Sequence, residues 1–98
     1  MEKDLNVVYL FDLYKELLTE KQRELFSSYY FYDLSLSEIA EPLNLTRQSV
    51  YESIKTVKEK LIEYEKSLKL FKKNESLKAL AEIYGGELRD KIMEIIGE

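Results

Sequence analysis

Pro42 is the one proline in 98 residues, and what surrounds it limits the fold more than any other feature. The run from Ser35 to Leu61 reads SLSEIAEPLNLTRQSVYESIKTVKEKL. Ser35, with Glu38 three residues on, has the spacing of a capping box and predicts a short helix over about 36–41. Proline lacks an amide hydrogen and clashes with the carbonyl four residues back, so that helix stops near Pro42. Asn44 tolerates the left-handed backbone of a tight turn. Thr46 then caps a second helix whose apolar positions, Val50, Ile54, Val57 and Leu61, recur at helical spacing. Short helix, tight turn and longer helix make a helix-turn-helix, whose second helix reads the DNA major groove with its first turns.

The apolar spacing continues beyond Leu61. Val50, Ile54, Val57, Leu61, Tyr64, Leu68 and Phe71 alternate steps of four and three, a heptad pattern. A recognition helix from Arg47 to about residue 72 is expected, roughly 40 Å long at 1.5 Å per residue. The outer seam of Tyr64, Leu68 and Phe71 then needs cover from C-terminal helices or a second subunit. A homodimer with these three residues at its interface is the expectation.

The rest of the chain reads as helices too. Residues 4–18 carry Leu10, Tyr14 and Leu17 in one stripe, joined by Val7 and Leu18. Tyr9, Phe11 and Tyr14 are expected to pack the core rather than line a ligand pocket. Thr19 and Gln22 form a second capping box, ahead of Leu25, Phe26, Tyr29 and Tyr30 on one face. Tyr29 to Tyr32 are four consecutive aromatics, so some must sit at a rim or an interface. Asn74 is expected to cap a fifth helix carrying Leu77, Leu80, Ala81 and Tyr84. Gly85-Gly86 ends it, and 87–96 forms a last helix with Leu88, Ile92, Met93, Ile95 and Ile96. Few helix breakers and many Leu, Glu and Lys agree with this. The fold class expected is all-α: a single helix-turn-helix domain over 1–98, with a core bundle in 1–66 and a C-terminal helical arm in 67–98.

The chain has no Cys and no His. That removes disulfides, thiol nucleophiles and imidazole bases, and argues against a zinc site. Glycine occurs only at Gly85, Gly86 and Gly97, so no phosphate-cradling loop is present. None of the 19 carboxylates sits in an apolar context that would raise its pKa. No enzyme activity, cofactor or metal is expected. No apolar run approaches the roughly 20 residues of a membrane span, and the N-terminus is unlike a signal peptide. A cytoplasmic protein is the expectation.

The net charge of −4 is unusual for a nucleic-acid binder, but its distribution is uneven. Residues 1–34 hold 4 basic and 7 acidic side chains, residues 35–74 hold 8 and 6, and residues 75–98 hold 3 and 6. The positive charge therefore lies on the helix-turn-helix and its extension. In a groove-docked helix the contacts would come from Arg47, Gln48, Tyr51 and Lys55. Arg suits guanine and Gln suits adenine. Thr46 and Ser49 can donate to phosphates, and Lys55 and Lys58 would touch the backbone. Glu52 opposes phosphates unless it reads a cytosine.

The same run resembles region 4 of bacterial sigma factors, with Ser53 where that pattern usually places an apolar residue and Ile54 one step later. A fuller resemblance covers almost the whole chain. LTEKQ at Leu18–Gln22, the tyrosine cluster, SLSEIA at Ser35–Ala40, TRQSVY at Thr46–Tyr51 and LIEYEKSLKLFKK together look like the YlxM/p13 family of small bacterial helix-turn-helix proteins. That resemblance implies a regulatory role beside the signal recognition particle GTPase or its receptor, with the particle's protein or RNA as partner. Two functions stay open: DNA binding through the recognition helix, or a protein adaptor that docks the targeting GTPase through the tyrosine-rich surface or the long helix. No membrane and no small-molecule substrate are expected as partners.

Overall fold

The computed structural model describes residues 3–97. Six α-helices and one 3-10 turn follow in order: α1 (Asn6–Tyr14), the 3-10 turn (Lys15–Leu17), α2 (Glu20–Tyr30), α3 (Leu36–Ala40), α4 (Arg47–Leu68), α5 (Leu70–Tyr84) and α6 (Gly86–Ile96). No strand forms among the described residues. The fold is an all-α helix-turn-helix bundle. The chain divides into two compact units, Met1–Ser67 and Leu68–Glu98.

In the first unit α4 is the spine of two adjoining clusters. Its first turns give Val50 and Ile54 to a cluster with Leu25, Tyr29, Leu36, Ile39 and Ala40. Its next turns give Val57 and Leu61 to a cluster with Val7, Phe11, Tyr14, Leu18 and Phe26. All four α4 residues are fully buried, each worth about 1.5–3 kcal/mol of burial. Phe26 stacks between Phe11 and Tyr30, with both pairs of ring centroids 4.4 Å apart. The buried phenol of Tyr14 donates to Glu65 Oε1 at 2.6 Å, which satisfies its oxygen inside the core.

Local chemistry sets the helix ends. Both capping boxes form: Gln22 N donates to Thr19 Oγ1 (3.1 Å) and Glu38 N to Ser35 Oγ (3.0 Å), with the reciprocal side-chain bonds in place. After α3 the backbone makes one more turn past Pro42. Leu45 N reaches Ala40 O and Asn44 N reaches Glu41 O, a Schellman closure with Asn44 left-handed at φ 55°.

Four expectations need correction. The first helix ends at Tyr14 rather than Leu18, because the chain tightens into a 3-10 turn. Arg23 Nη1 secures that end by donating to Lys15 O and Leu18 O. Leu17 is thereby exposed, and so is Tyr9, at 59 %. The long helix stops at Leu68, not near residue 72, because Lys69 turns left-handed (φ 56°, ψ 32°). Its 22 residues span about 33 Å. Asn74 caps nothing: α5 has already started at Leu70, so Asn74 lies inside it.

The second unit is the hairpin of α5 and α6. Gly85, at φ 63° and ψ −167°, makes the bend that only glycine adopts without strain, and Gly85 N donates to Ala81 O at 2.8 Å. Ala81 is the one buried hydrophobic among its described residues, while Leu80, Ile83, Tyr84, Leu88 and Ile95 are exposed.

Candidate nucleic-acid interface

The first turns of α4 divide by face. Thr46, Arg47, Gln48, Ser49, Glu52 and Lys55 are exposed, Tyr51 is half-buried, and Val50 and Ile54 anchor the opposite face in the core. Ile54 takes the inward position that Ser53, half-buried, leaves free. Thr46 opens the helix as its cap: Ser49 N donates to Thr46 Oγ1 at 3.0 Å, and Ser49 Oγ donates back to Thr46 O at 2.9 Å. Both hydroxyls are thus held in place at the helix mouth, where backbone N–H groups and the helix dipole favour an anion.

Gln48 Nε2 donates to Glu52 Oε1 at 3.0 Å, one turn along. This bond orients the amide and screens part of the Glu52 charge. Arg47 and Lys55 make no ion pair among the described residues. Lys58 is differently placed. It is half-buried and its Nζ lies 4.0 Å from Asp4 Oδ2, so it faces the N-terminal segment as well as solvent. Five of the seven expected contact residues therefore lie exposed at one helix end, Tyr51 forms their inner edge, and Lys58 stands apart.

Sequence reasoning missed Leu36. It closes a small cavity of about 190 Å³ with Arg47, Gln48 and Tyr51. Leu36 is the first residue of α3, and only the turn at Asn44 brings it beside α4. The Tyr51 ring and Leu36 give this notch apolar walls, and Arg47 and Gln48 give it polar lips. Such a site can take the methyl face of a base while its edge is hydrogen-bonded.

The expected dimer seam divides at the turn. Tyr64 is half-buried, its ring centroid 6.0 Å from that of Tyr14. Leu68 ends α4 and is 48 % exposed, and Phe71 lies half-buried on α5. Among the described residues no group of carboxylates is arranged to hold a metal ion, and no helix is long and apolar enough to cross a membrane.

Residues 1–96 match a family described as "Putative helix-turn-helix protein, YlxM / p13 like". The chain is similar to a UPF0122 protein of Geobacillus sp. (strain WCH70), 43% identical over 98 residues that cover 100% of this chain and 86% of that one. It is similar to one of Shouchella clausii (strain KSM-K16), 44% identical over 95 residues, 96% of this chain and 87% of that one. A third, from Halalkalibacterium halodurans, is 51% identical over 75 residues, 76% of this chain and 69% of that one. With the capped turn, the spine helix and the exposed helix mouth in the arrangement that the family description names, the chain belongs to the YlxM/p13-like helix-turn-helix family of bacterial proteins.

Proposed function

We propose that this protein is a non-catalytic regulator that binds nucleic acid, DNA in the first place, through the start of α4. Arg47, Gln48 and Tyr51 read bases, and Thr46, Ser49, Lys55 and Lys58 hold the phosphate backbone. The observation that carries this reading is the exposed, unpaired state of Arg47 and Lys55 on a helix whose other face is locked into the core. Unpaired cations at a capped helix start gain most from phosphate, because their charges are not already neutralised.

The test is fluorescence anisotropy with duplex DNA at several salt concentrations. Arg47→Ala with Lys55→Ala should weaken binding at least about tenfold and flatten the log–log salt slope by about 2, one for each lost phosphate contact. Unchanged affinity and slope would remove the assignment.

The reading extends to the signal recognition particle pathway in the cytoplasm, on the strength of the family resemblance. A second reading is favoured by Phe31 and Tyr32, which are exposed at the end of α2, Tyr32 by 72 %. In it the aromatic rim docks the targeting GTPase or its RNA and no DNA is bound. A pull-down from bacterial lysate with and without nuclease separates the two. Partners lost on nuclease treatment favour nucleic acid, and partners retained favour the adaptor. The protein acts as a homodimer in this proposal, with Tyr64, Leu68 and Phe71 at the contact. Leu68 is a large exposed apolar side chain that a second copy would cover. Light scattering that gives a monomer at tens of micromolar would remove the dimer.

A further inference from the structure

A groove of about 530 Å³ lies between the start of α2 and the α3 turn. Its floor is apolar: Leu25 and Ile39 are buried, Leu34 is half-buried, and Pro42 and Leu43 are exposed, Leu43 by 51 %. Glu20 and Glu24 stand along the α2 wall and Glu38 along the α3 wall, with Lys21 the one cation of the lining. Glu38 is occupied by its own capping box, whereas Glu20 and Glu24 have no ion-pair partner among the described residues. Carboxylate walls repel phosphate, so this is not a second nucleic-acid surface. The groove calls for apolar side chains flanked by cations.

The same chain carries that pattern elsewhere. Lys69, Lys73, Leu77 and Leu80 are exposed along α5. Lys69 and Lys73 have no ion-pair partner among the described residues. They are four residues apart, as are Glu20 and Glu24, so each pair spans one helical turn of about 6 Å on one helix face. Helix α6 does not fit the groove, because Glu87, Asp90 and Glu94 give it the wrong charge.

We infer that the groove of one copy receives the start of α5 from a second copy. Leu77 and Leu80 enter against Leu34 and Leu43, and Lys69 and Lys73 pair with Glu20 and Glu24. Exchanged both ways, this is an isologous two-fold contact that buries both surfaces twice and closes without forming a chain of subunits. The inference rests on the homodimer proposed above and names a further contact for it.

Sedimentation velocity on the full chain tests it, using Glu24→Lys and Lys73→Glu, both at exposed positions, with far-UV circular dichroism to verify folding. Each variant alone should weaken self-association at least about tenfold, because each sets like charges opposite one another in both grooves. The mixed variants should associate again to within about threefold of the parent, because each then supplies what the other's groove lacks. Leu43→Ser should weaken association without changing its salt dependence. A monomeric parent protein would remove both the homodimer and this contact. A dimer that neither single variant disturbs, or a mixture that does not recover, would overturn the contact alone. The groove would then be free for a basic amphipathic helix of another protein, read with a lysine–leucine helical peptide as probe.

Discussion

The two units of this protein are both helical, yet they use apolar residues in opposite ways. In Met1–Ser67 they point inward: Val50, Ile54, Val57, Leu61 and Phe26 are shut off from solvent, and no charged or polar residue is buried among those described. In Leu68–Glu98 they remain outside, with Ile83 at 75 % and Ile95 at 83 % exposure. A hairpin of this size lacks the core to stabilise itself. Its helices are held instead by ion pairs at the surface, such as Arg89 Nε to Glu82 Oε1 at 2.7 Å, which raises the already high pKa of the arginine. Surface pairs of this kind contribute little net stability. The lesson is that helical content does not measure fold stability: one unit carries its own core and the other presents a surface in search of one.

The sharpest way to break this contrast is to truncate equivalent large side chains in each unit. Phe26→Ala should cost about 3–5 kcal/mol in urea unfolding, because the Phe11–Phe26–Tyr30 stack loses its middle ring. Leu80→Ala, at an exposed position, should cost no more than about 0.5 kcal/mol in dilute protein. Equal costs would mean that the hairpin is as well packed as the bundle. Next, Gly85→Ala forces a side chain into a conformation that only glycine adopts easily. It should cost the hairpin about 1–3 kcal/mol. Hydrogen exchange should show protection lost in α5 and α6 and retained in α2 to α4.

Smaller effects refine the description of the first unit. Ser35→Ala removes the α3 cap and should cost about 1 kcal/mol. The two capping boxes also differ in charge. Glu38 accepts from the Ser35 amide, which holds its carboxyl below the usual glutamate value, whereas Gln22 does the same work without titrating. A lowered folded-state pKa means that the unfolded chain binds more protons. The Glu38 contribution is therefore complete above the ordinary glutamate range and is lost as pH falls through the lowered value. Glu38→Gln should flatten the acid side of the stability curve below about pH 4.5 while leaving α3 capped; an unchanged curve would contradict this. Smallest of all, Lys69→Gly relieves a left-handed lysine and should stabilise by less than about 1 kcal/mol, seen as a small rise in the thermal midpoint.

What could be read in advance follows from how local each cause is. Ser35 with Glu38, Thr19 with Gln22, and Asn44 at its turn act within a few residues of backbone, so their spacing is enough to find them. The inward face of α4 is equally legible, since Val50, Ile54, Val57 and Leu61 repeat with the helix. The end of α4 was not. Lysine carries no stop signal, and the heptad spacing runs unbroken from Tyr64 through Leu68 to Phe71 across the bend at Lys69. Asn74 misled for a related reason: an asparagine that can cap a helix can also sit within one. At the interface, the exposed residues of the first α4 turns follow from periodicity, but the notch with Leu36 and the proximity of Lys58 to Asp4 depend on contacts between distant segments. The acidic groove belongs to that class too, because α2 and the α3 turn each supply only one of its walls.

Tyr30 gives the first unit a property that the hairpin lacks. Its phenol oxygen is buried without a hydrogen-bond partner, and burial pushes its pKa above the ordinary tyrosine value despite an opposing influence from the Asp4 backbone. A phenolate there would set a negative charge against the Phe26 ring, so proton loss and core opening become one event. Stability linked to this oxygen is intact below the ordinary tyrosine range, about pH 10, and drains away as alkali climbs through the raised value. In a chain without histidine or tryptophan, the tyrosinate absorbance of Tyr30 would thus report loosening of the bundle from within.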